Sequence, residues 1–529
     1  MPSTRQSLHI TVGTPRPARR RQYFAAISAS IGALTVGSII GYASPATSQL
    51  RQPEINNSSE IINSTYATQC VETTFHSPRD FILCSYESVA SFFMATTTDQ
   101  KMLPSESVTL SSSQLSWFSS AFSIGALIGG AFAGVLIQHA GRKGGMLLSV
   151  APCIAGWLAL GFGRSFWALV TGRTLTGMFT GITCVAVNTY IGEISSSDIR
   201  GMLGTSFQLM LGTGIVYSYS FGALVWWDDL AFICCVPPAV FFVLVFFNPE
   251  TPAFLVTKGR KEKAEETLQQ LRGRSWDVLP ELKLLEEAAA EAKQHKMKMS
   301  DLCSSHVARP LVIVLGLMAF QQLCGINAFV FNLDTIFKSA GSGLSSEVSS
   351  ILCALVQTLA TFISFFLVET AGRKLLLVIS AVVMGLSHAC VGLFFYLLET
   401  DEAWTQQYLS WLPLLAVMVF QVAFSAGYGP VPWVMMSELF PPRIRETASS
   451  LATVTNWTAS FFVIFSFEPL QASLGSYGFY WLFACICVVA TIFSATVVVE
   501  TKGKTFEEIG EIFSSKNRLS SSSDTEARY

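Results

Sequence analysis

Long apolar runs dominate the chain. Twelve of them are nearly free of charge and about 20 residues long, enough to cross ~30 Å of hydrocarbon at ~1.5 Å per residue. They fall at roughly 23–45, 114–138, 145–163, 167–191, 202–225 and 230–247, then at 310–337, 347–368, 375–398, 411–437, 447–467 and 477–499. The first has basic residues ahead of it, as a signal peptide does, but it is too long and lacks a small-residue cleavage site, so it is expected to remain as the first span. The break at 248–309 divides the runs into an N-terminal half over 23–247 and a C-terminal half over 310–499, flanked by segments 1–22 and 500–529. Within the break, 258–274 and 280–298 are rich in Ala, Leu, Glu and Lys, which predicts short helices rather than loop. The expected fold class is an all-α integral membrane protein, twelve transmembrane helices in two six-helix halves with a helical linker.

Composition agrees with this reading. Of the 529 residues 51% are hydrophobic and only 13% charged, with a mean hydropathy of +0.47, against about 25% charged in an average soluble domain. A net charge of −2 excludes a polyanionic nucleic-acid partner, which needs a basic excess. Basic residues set the orientation. Arg5, Arg16, Arg19, Arg20 and Arg21 precede the first run and eleven Lys and Arg lie in the break, which places both segments, and hence both termini, in the cytosol. The long loop 46–112 has three basic against seven acidic residues and glycosylation sequons at Asn56, Asn57 and Asn63, so it faces outside. Cys70 and Cys84 lie in that loop; a bridge between them and two separately used thiols both suit the spacing. The other ten cysteines fall in apolar segments or on the cytosolic side and read as small buried hydrophobes. A further sequon at Asn456 lies inside a span, out of reach of glycosylation.

The two halves repeat one another. Gly141-Arg142-Lys143 follows the second run and Gly372-Arg373-Lys374 the eighth. Glu193 with Arg200 follows the fourth, and Glu438 with Arg445 the tenth; Glu250 follows the sixth and Glu500 the twelfth. Two six-span halves around a cavity are a transporter design. The run 134–143, Gly172-Arg173, the stretch 192–201, Pro249-Glu250-Thr251-Pro252, Gln321-Gln322-Leu323, Gly325-Ile326-Asn327, Gly429-Pro430-Val431-Pro432-Trp433, Asn456-Trp457 and Glu500-Thr501-Lys502-Gly503 together resemble the signatures of the major facilitators, and within them the sugar porters. The resemblance covers both halves and is closest to the facilitative hexose and insect trehalose transporters. It implies the major facilitator fold, no cofactor and no bound metal, a small neutral sugar as substrate, the lipid bilayer as surroundings, and a monomer in the cell membrane, with an internal membrane as the alternative.

Polar side chains in spans are costly, so those present are candidates for a water-filled path. Span seven carries Gln321, Gln322, Asn327 and Asn332; at ~100° per residue these share or border one broad helical face, and carboxamides both donate to and accept from a polyol. Interhelical hydrogen bonding is the alternative for such amides. Resemblance adds Gln208 and Gln357 as hydrogen-bonding partners of the sugar, and Trp433 and Trp457 as apolar faces for its C–H groups. Pro430 and Pro432 predict a broken, bendable span ten, and Phe331 with Asn332 occupies a gate position that resemblance fills with two aromatics. Ser425 and Ser460 stand where the best-known glucose carriers have a glutamate and an asparagine, and Met318-Ala319-Phe320 replaces a Gln-Leu-Ser run. The pocket is thus expected to differ from one built for plain glucose. Gly125, Gly129, Gly130 and Gly134 read as packing glycines of span two.

Resemblance also implies a cytosolic salt-bridge lock between the halves, made of Arg142, Arg173, Glu193, Arg200, Glu250, Glu369, Arg373, Glu438, Arg445 and Glu500. Proton-coupled sugar porters carry an aspartate in span one facing the span-four arginine; 23–50 contains no Asp or Glu, so passive uniport is expected. No phosphate-binding loop indicates ATP as an energy source. A proton-coupled symporter and a non-transporting sugar sensor remain as alternatives, although a sensor usually has a longer tail. An enzyme would need clustered ionisable groups in the spans, whereas Arg173, Asp334 and His388 are scattered, and a lone His388 is most simply a buried polar residue.

Overall fold

The computed structural model describes residues 19–51, 108–196, 199–273, 276–294, 305–340, 345–440 and 442–502. The sequons at Asn56, Asn57 and Asn63 and the Cys70/Cys84 pair lie outside them. In chain order the helices are α1 (Arg20–Gly41), α2 (Ala43–Leu50), α3 (Ser112–Phe162), α4 (Phe166–Ile194), α5 (Arg200–Gly222), α6 (Trp227–Ile233), α7 (Val236–Phe246), α8 (Pro252–Thr257), α9 (Lys261–Arg272), α10 (Leu279–Gln294), α11 (Ser305–Leu323), α12 (Ile326–Val330), α13 (Leu333–Ala340), α14 (Ser346–Ala371), α15 (Arg373–Thr400), α16 (Glu402–Leu409), α17 (Leu412–Ala426), α18 (Val431–Leu439) and α19 (Pro442–Thr496). Among the described residues eight helical segments are long and apolar enough to cross a membrane. Two of these are double-length: α3 turns at Gly141 (φ 87°) and α19 at Gly475 (φ 70°), so spans two and three, and eleven and twelve, run on with one glycine between them.

The surface is that of a chain in hydrocarbon. Phe162, Trp167 and Phe247 are each more than 70% exposed, while Ser28, Ser30, Thr35 and Thr180 are buried and donate to carbonyls three or four residues back. Such back-bonding satisfies a hydroxyl without a partner helix. Where helices cross, glycines let backbones touch. A Cβ at Gly125 would collide with the Thr174 carbonyl of α4, one at Gly129 with that of Met178, and one at Gly177 with that of Phe122. Gly130 instead meets Thr453 of α19, and Gly134 faces open space, so the packing role expected of all four span-two glycines holds for Gly125 and Gly129 against α4.

The halves meet along α3 against α19 and α5 against α14. The linker belongs to the N-terminal half: α8, α9 and α10 close around Leu255, Val256, Leu268 and Leu282. Buried Arg272 donates to the Ile194 carbonyl at the end of α4 (2.7 Å) and pairs with Glu281 (2.6 Å). Gln22 of α1 bridges Leu271 O and the Ser196 amide.

Two expected spans are broken. Span seven ends as a helix at Leu323 and restarts at Ile326, with Gly325 at φ 88° between. Gly takes this left-handed conformation without the Cβ penalty. Span ten stops at Ala426 and resumes at Val431, as its glycine-proline run predicts.

Candidate functional site

The span-seven break rearranges the amides that one helical face was expected to align. In a straight helix, residues five apart are separated by about 140°, yet Asn327 Nδ2 donates to Gln322 Oε1 at 2.6 Å because the turn at Gly325 folds it back. The same amide donates to Ser460 Oγ (2.8 Å), which lies 3.0 Å from Ser123 Oγ of the opposite half. Asn332 does not join them. It is buried and donates to the Ala328 carbonyl, four residues back, because the regular face ends at the break.

Asn456 of α19 is the hub. Its Nδ2 donates to Gln321 Oε1 (2.7 Å) and Met318 O (3.1 Å), and its Oδ1 accepts from Gln322 Nε2 (3.0 Å). Sequence reasoning passed over it as an unusable sequon, although the criterion applied to Gln322, an amide inside a span, applied equally here. Gln321 in turn donates to Tyr428 O (2.9 Å) and Gly429 O (2.7 Å), carbonyls released by the break in span ten. Gln321 therefore braces the two broken spans together, and Gln322 and Asn327 keep hydrogen-bonding capacity to spare, one N–H and one carbonyl oxygen.

The remaining candidates come from both halves. Gln208 and Gln357 are half-buried, and no described hydrogen bond engages either side-chain amide. Trp433 is half-buried; Trp457 is buried edge-on to Phe122 (5.6 Å between centroids), with its Nε1–H unpartnered. Ser425 accepts from Thr361 (3.2 Å). Pro430 precedes α18 and Pro432 lies in its first turn, so both sit at the span-ten break.

Arg173 is not among the end-of-helix charges where it was expected. It is wholly buried in the bundle, donates to Ile39 O (2.8 Å), and has its guanidinium carbon 5.3–5.9 Å from the rings of Tyr42, Phe118, Phe122 and Phe331. Its described partners are one carbonyl and four π faces, with no carboxylate. A ring of aromatics attracts a cation through its quadrupole, and Phe331 comes from the other half.

The other charges form two matching sets, each inside one half. Arg142 pairs with Glu193 (2.6 Å) and Arg373 with Glu438 (2.7 Å). Glu250 accepts from the Arg142, Lys143 and Thr251 amides, and Glu500 from those of Arg373, Lys374 and Lys502. Gly141 and Gly372, both at positive φ, end one helix and start the next, so the new N-terminus presents its amides to the acid. The expected pairing across the halves is not found among the described residues; the side chains of Arg200, Glu369 and Arg445 lie outside them. The described polar contacts that do cross the halves sit near Leu50 or mid-bundle: Arg51 with Glu468, Lys338 with Ser48, the Asp334 amide to Ser44 Oγ (3.1 Å), Tyr219 Oη to Val330 O (2.5 Å), and Ser123 with Ser460. The molecule is latched at the Leu50 end.

The matching acids differ electrostatically. Burial pushes the Glu250 carboxyl up despite three amides. At Glu500 burial also raises it, but the Lys502, Arg373, Lys374 and Thr501 amides outweigh that and hold it below its usual value. A carboxyl held low stabilises the fold while ionised, and that contribution disappears as pH falls through its lowered value. Glu500→Gln is therefore expected to lower the Tm of purified protein at pH 7, with a smaller deficit near pH ~4, whereas Glu250→Gln leaves the Tm unchanged or raised. Thermal unfolding at both pH values checks this.

Two helical halves with a repeated charge motif and an amide-lined seam between broken helices define a membrane carrier. The chain belongs to the sugar (and other) transporter family, whose model matches residues 26–513, in the sugar porter branch of the major facilitators. It is 37% identical over 435 residues to the facilitated trehalose transporter Tret1 of Polypedilum vanderplanki, covering 81% of this chain and 86% of that one. To Tret1 of Anopheles gambiae it is 39% identical over 396 residues, 74% of this chain and 50% of that one. The inward-open xylose transporter XylE of E. coli superposes with a TM-score of 0.68 at 22% identity, covering 93% of this chain and 99% of that one. The proton:xylose symporter XylE bound to 6-bromo-6-deoxy-D-glucose gives the same values. These structures share the fold.

Proposed function

We propose that this protein is a uniporter for a neutral sugar, trehalose or a hexose, carrying it down its gradient by rocking two six-helix halves, with the Gln322–Asn327–Asn456 seam of the C-terminal half as part of the sugar site. The observation that carries this reading is the seam itself, a set of neutral amides from the C-terminal half that reaches the Ser123 hydroxyl of the other through Ser460, flanked by Trp457 and Phe122. Uncharged donors and acceptors beside aromatic faces match a polyol, and relatives of this chain are named as facilitated trehalose transporters. Gln322, Asn327, Gln357, Gln208 and the free Trp457 Nε1–H would hold the sugar. With the termini in the cytosol, the latched Leu50 end would be the outer one. A proton-coupled mode is the second reading, since a XylE neighbour is described as a proton symporter. Against it, Arg173 has a carbonyl and aromatic rings as its described partners, with no acid among the described residues paired to it.

The test is uptake of labelled trehalose, glucose and fructose into liposomes holding the protein, with Gln322→Ala alongside. Saturable entry of one sugar that the substitution removes is expected. No uptake of any of them by folded protein would move the assignment to a sensor or another solute.

A further inference from the structure

His388 of α15 is buried at the span-seven break, and nothing in the transport reading uses it. Its Nε2 lies 2.9 Å from the Cys324 carbonyl. A carbonyl only accepts, so Nε2 carries the hydrogen and Nδ1, which has no partner, is the bare nitrogen. In an unbroken helix the Cys324 carbonyl would accept from the Ala328 amide; here the imidazole replaces it. The ring is stacked on Phe329 of α12 (4.8 Å, 10°) and on Phe483 of α19 (5.5 Å, 23°), with Phe420 edge-on at 4.9 Å. Gly325 closes the arrangement, since a Cβ there would lie 2.9 Å from Phe483 and 3.0 Å from His388 Nε2. One side chain from a span distant in sequence thus satisfies the carbonyl freed by the turn and clamps the first aromatic after it.

We infer that His388 is a positioning residue for sugar binding: by holding the Cys324–Gly325 turn it fixes Asn327 against Gln322 and Ser460. This rests on the reading of Asn327 as part of the sugar site. Loosening the turn would let Asn327 return toward its straight-helix direction, away from Gln322, at the expense of affinity. His388 touches no sugar itself.

The experiment measures uptake of the transported sugar per copy of protein at the membrane for His388→Phe, His388→Gln, Asn327→Ala and the double variant His388→Phe/Asn327→Ala. Phenylalanine keeps the stack and removes the Nε2–H; glutamine supplies an N–H donor. His388→Phe is expected to raise KM about tenfold, the size of effect that an unsatisfied buried carbonyl can produce, with kcat within about twofold, and His388→Gln is expected to recover most of the affinity. Because His388 acts through Asn327, the double variant shows no further rise over Asn327→Ala. Gly325→Ala, which strains the same turn from the other side, gives the same KM signature and guards against one variant failing to fold. If Asn327→Ala raises KM while His388→Phe and Gly325→Ala leave it unchanged, or if the two rises add, the positioning role is overturned. If Asn327→Ala itself leaves KM unchanged, the sugar-site reading fails, and this inference falls with it.

Discussion

Asn456→Ala is expected to reduce uptake by roughly thirtyfold in kcat/KM. Its amide makes three hydrogen bonds, to Gln321, Gln322 and the Met318 carbonyl. Interhelical hydrogen bonds within a membrane are worth about 0.6 to 1 kcal/mol each, so losing three costs ~2 kcal/mol, or roughly thirtyfold. Alanine also frees Gln321 to leave the Tyr428 and Gly429 carbonyls, so both broken spans lose a brace. Ser460→Ala removes one acceptor of Asn327 and is expected to cost only a few-fold. Uptake normalised to protein at the membrane measures both; equal losses for Asn456→Ala and Ser460→Ala would refute the hub.

The latch at the Leu50 end supplies the second large effect. Arg51 and Glu468 pair end-on, Nη1 lying 3.1 Å from Oε2 and Nη2 contacting Oε1, and both side chains are mostly buried. A bidentate Arg–carboxylate pair in such a place is worth on the order of 1 kcal/mol, so reversing one charge shifts the balance toward an open outer end by about fivefold or more. Ser44, seven residues before Arg51, is buried and accepts from the Asp334 amide. In an Ser44→Cys background, Arg51→Glu is expected to speed labelling by a membrane-impermeant thiol reagent applied outside by that factor, and the swapped pair Arg51→Glu/Glu468→Arg to restore slow labelling. Labelling that the swap does not slow would remove the ion pair from the gating account.

How far the fold could be read from sequence follows from where its information lies. The apolar runs, the glycine-arginine turns at Gly141 and Gly372 and the in-span amides are local signals, and the helices ending in those turns are where the runs place them. The kink at Gly325 is different: glycine permits it, but the Nε2–H that satisfies its freed carbonyl comes from His388, which in sequence is only a lone histidine in an apolar run. Assuming a continuous helix put Asn332 beside Gln322, whereas the turn puts Asn327 there. Gln321 looked like a sugar ligand because its type suits a sugar; its carbonyl partners exist only once span ten breaks beside it. Arg173 was grouped with the helix-end charges by resemblance, while its aromatic cage depends on Phe331 arriving from the opposite half. Asn456 was discarded by a motif rule about glycosylation, although the cost of burying an amide in a span already required a partner for it.

The absence of energy coupling is the central claim, and it rests on Arg173 having aromatic faces and a carbonyl where a proton carrier would need an acid. Its most direct test is the steady-state ratio of transported sugar inside to outside proteoliposomes under an inward proton gradient. A uniporter brings that ratio to about one, with or without a protonophore, because a gradient with no differential binding to the two states cannot bias them. Accumulation well above one that collapses when the protonophore is added would contradict the account.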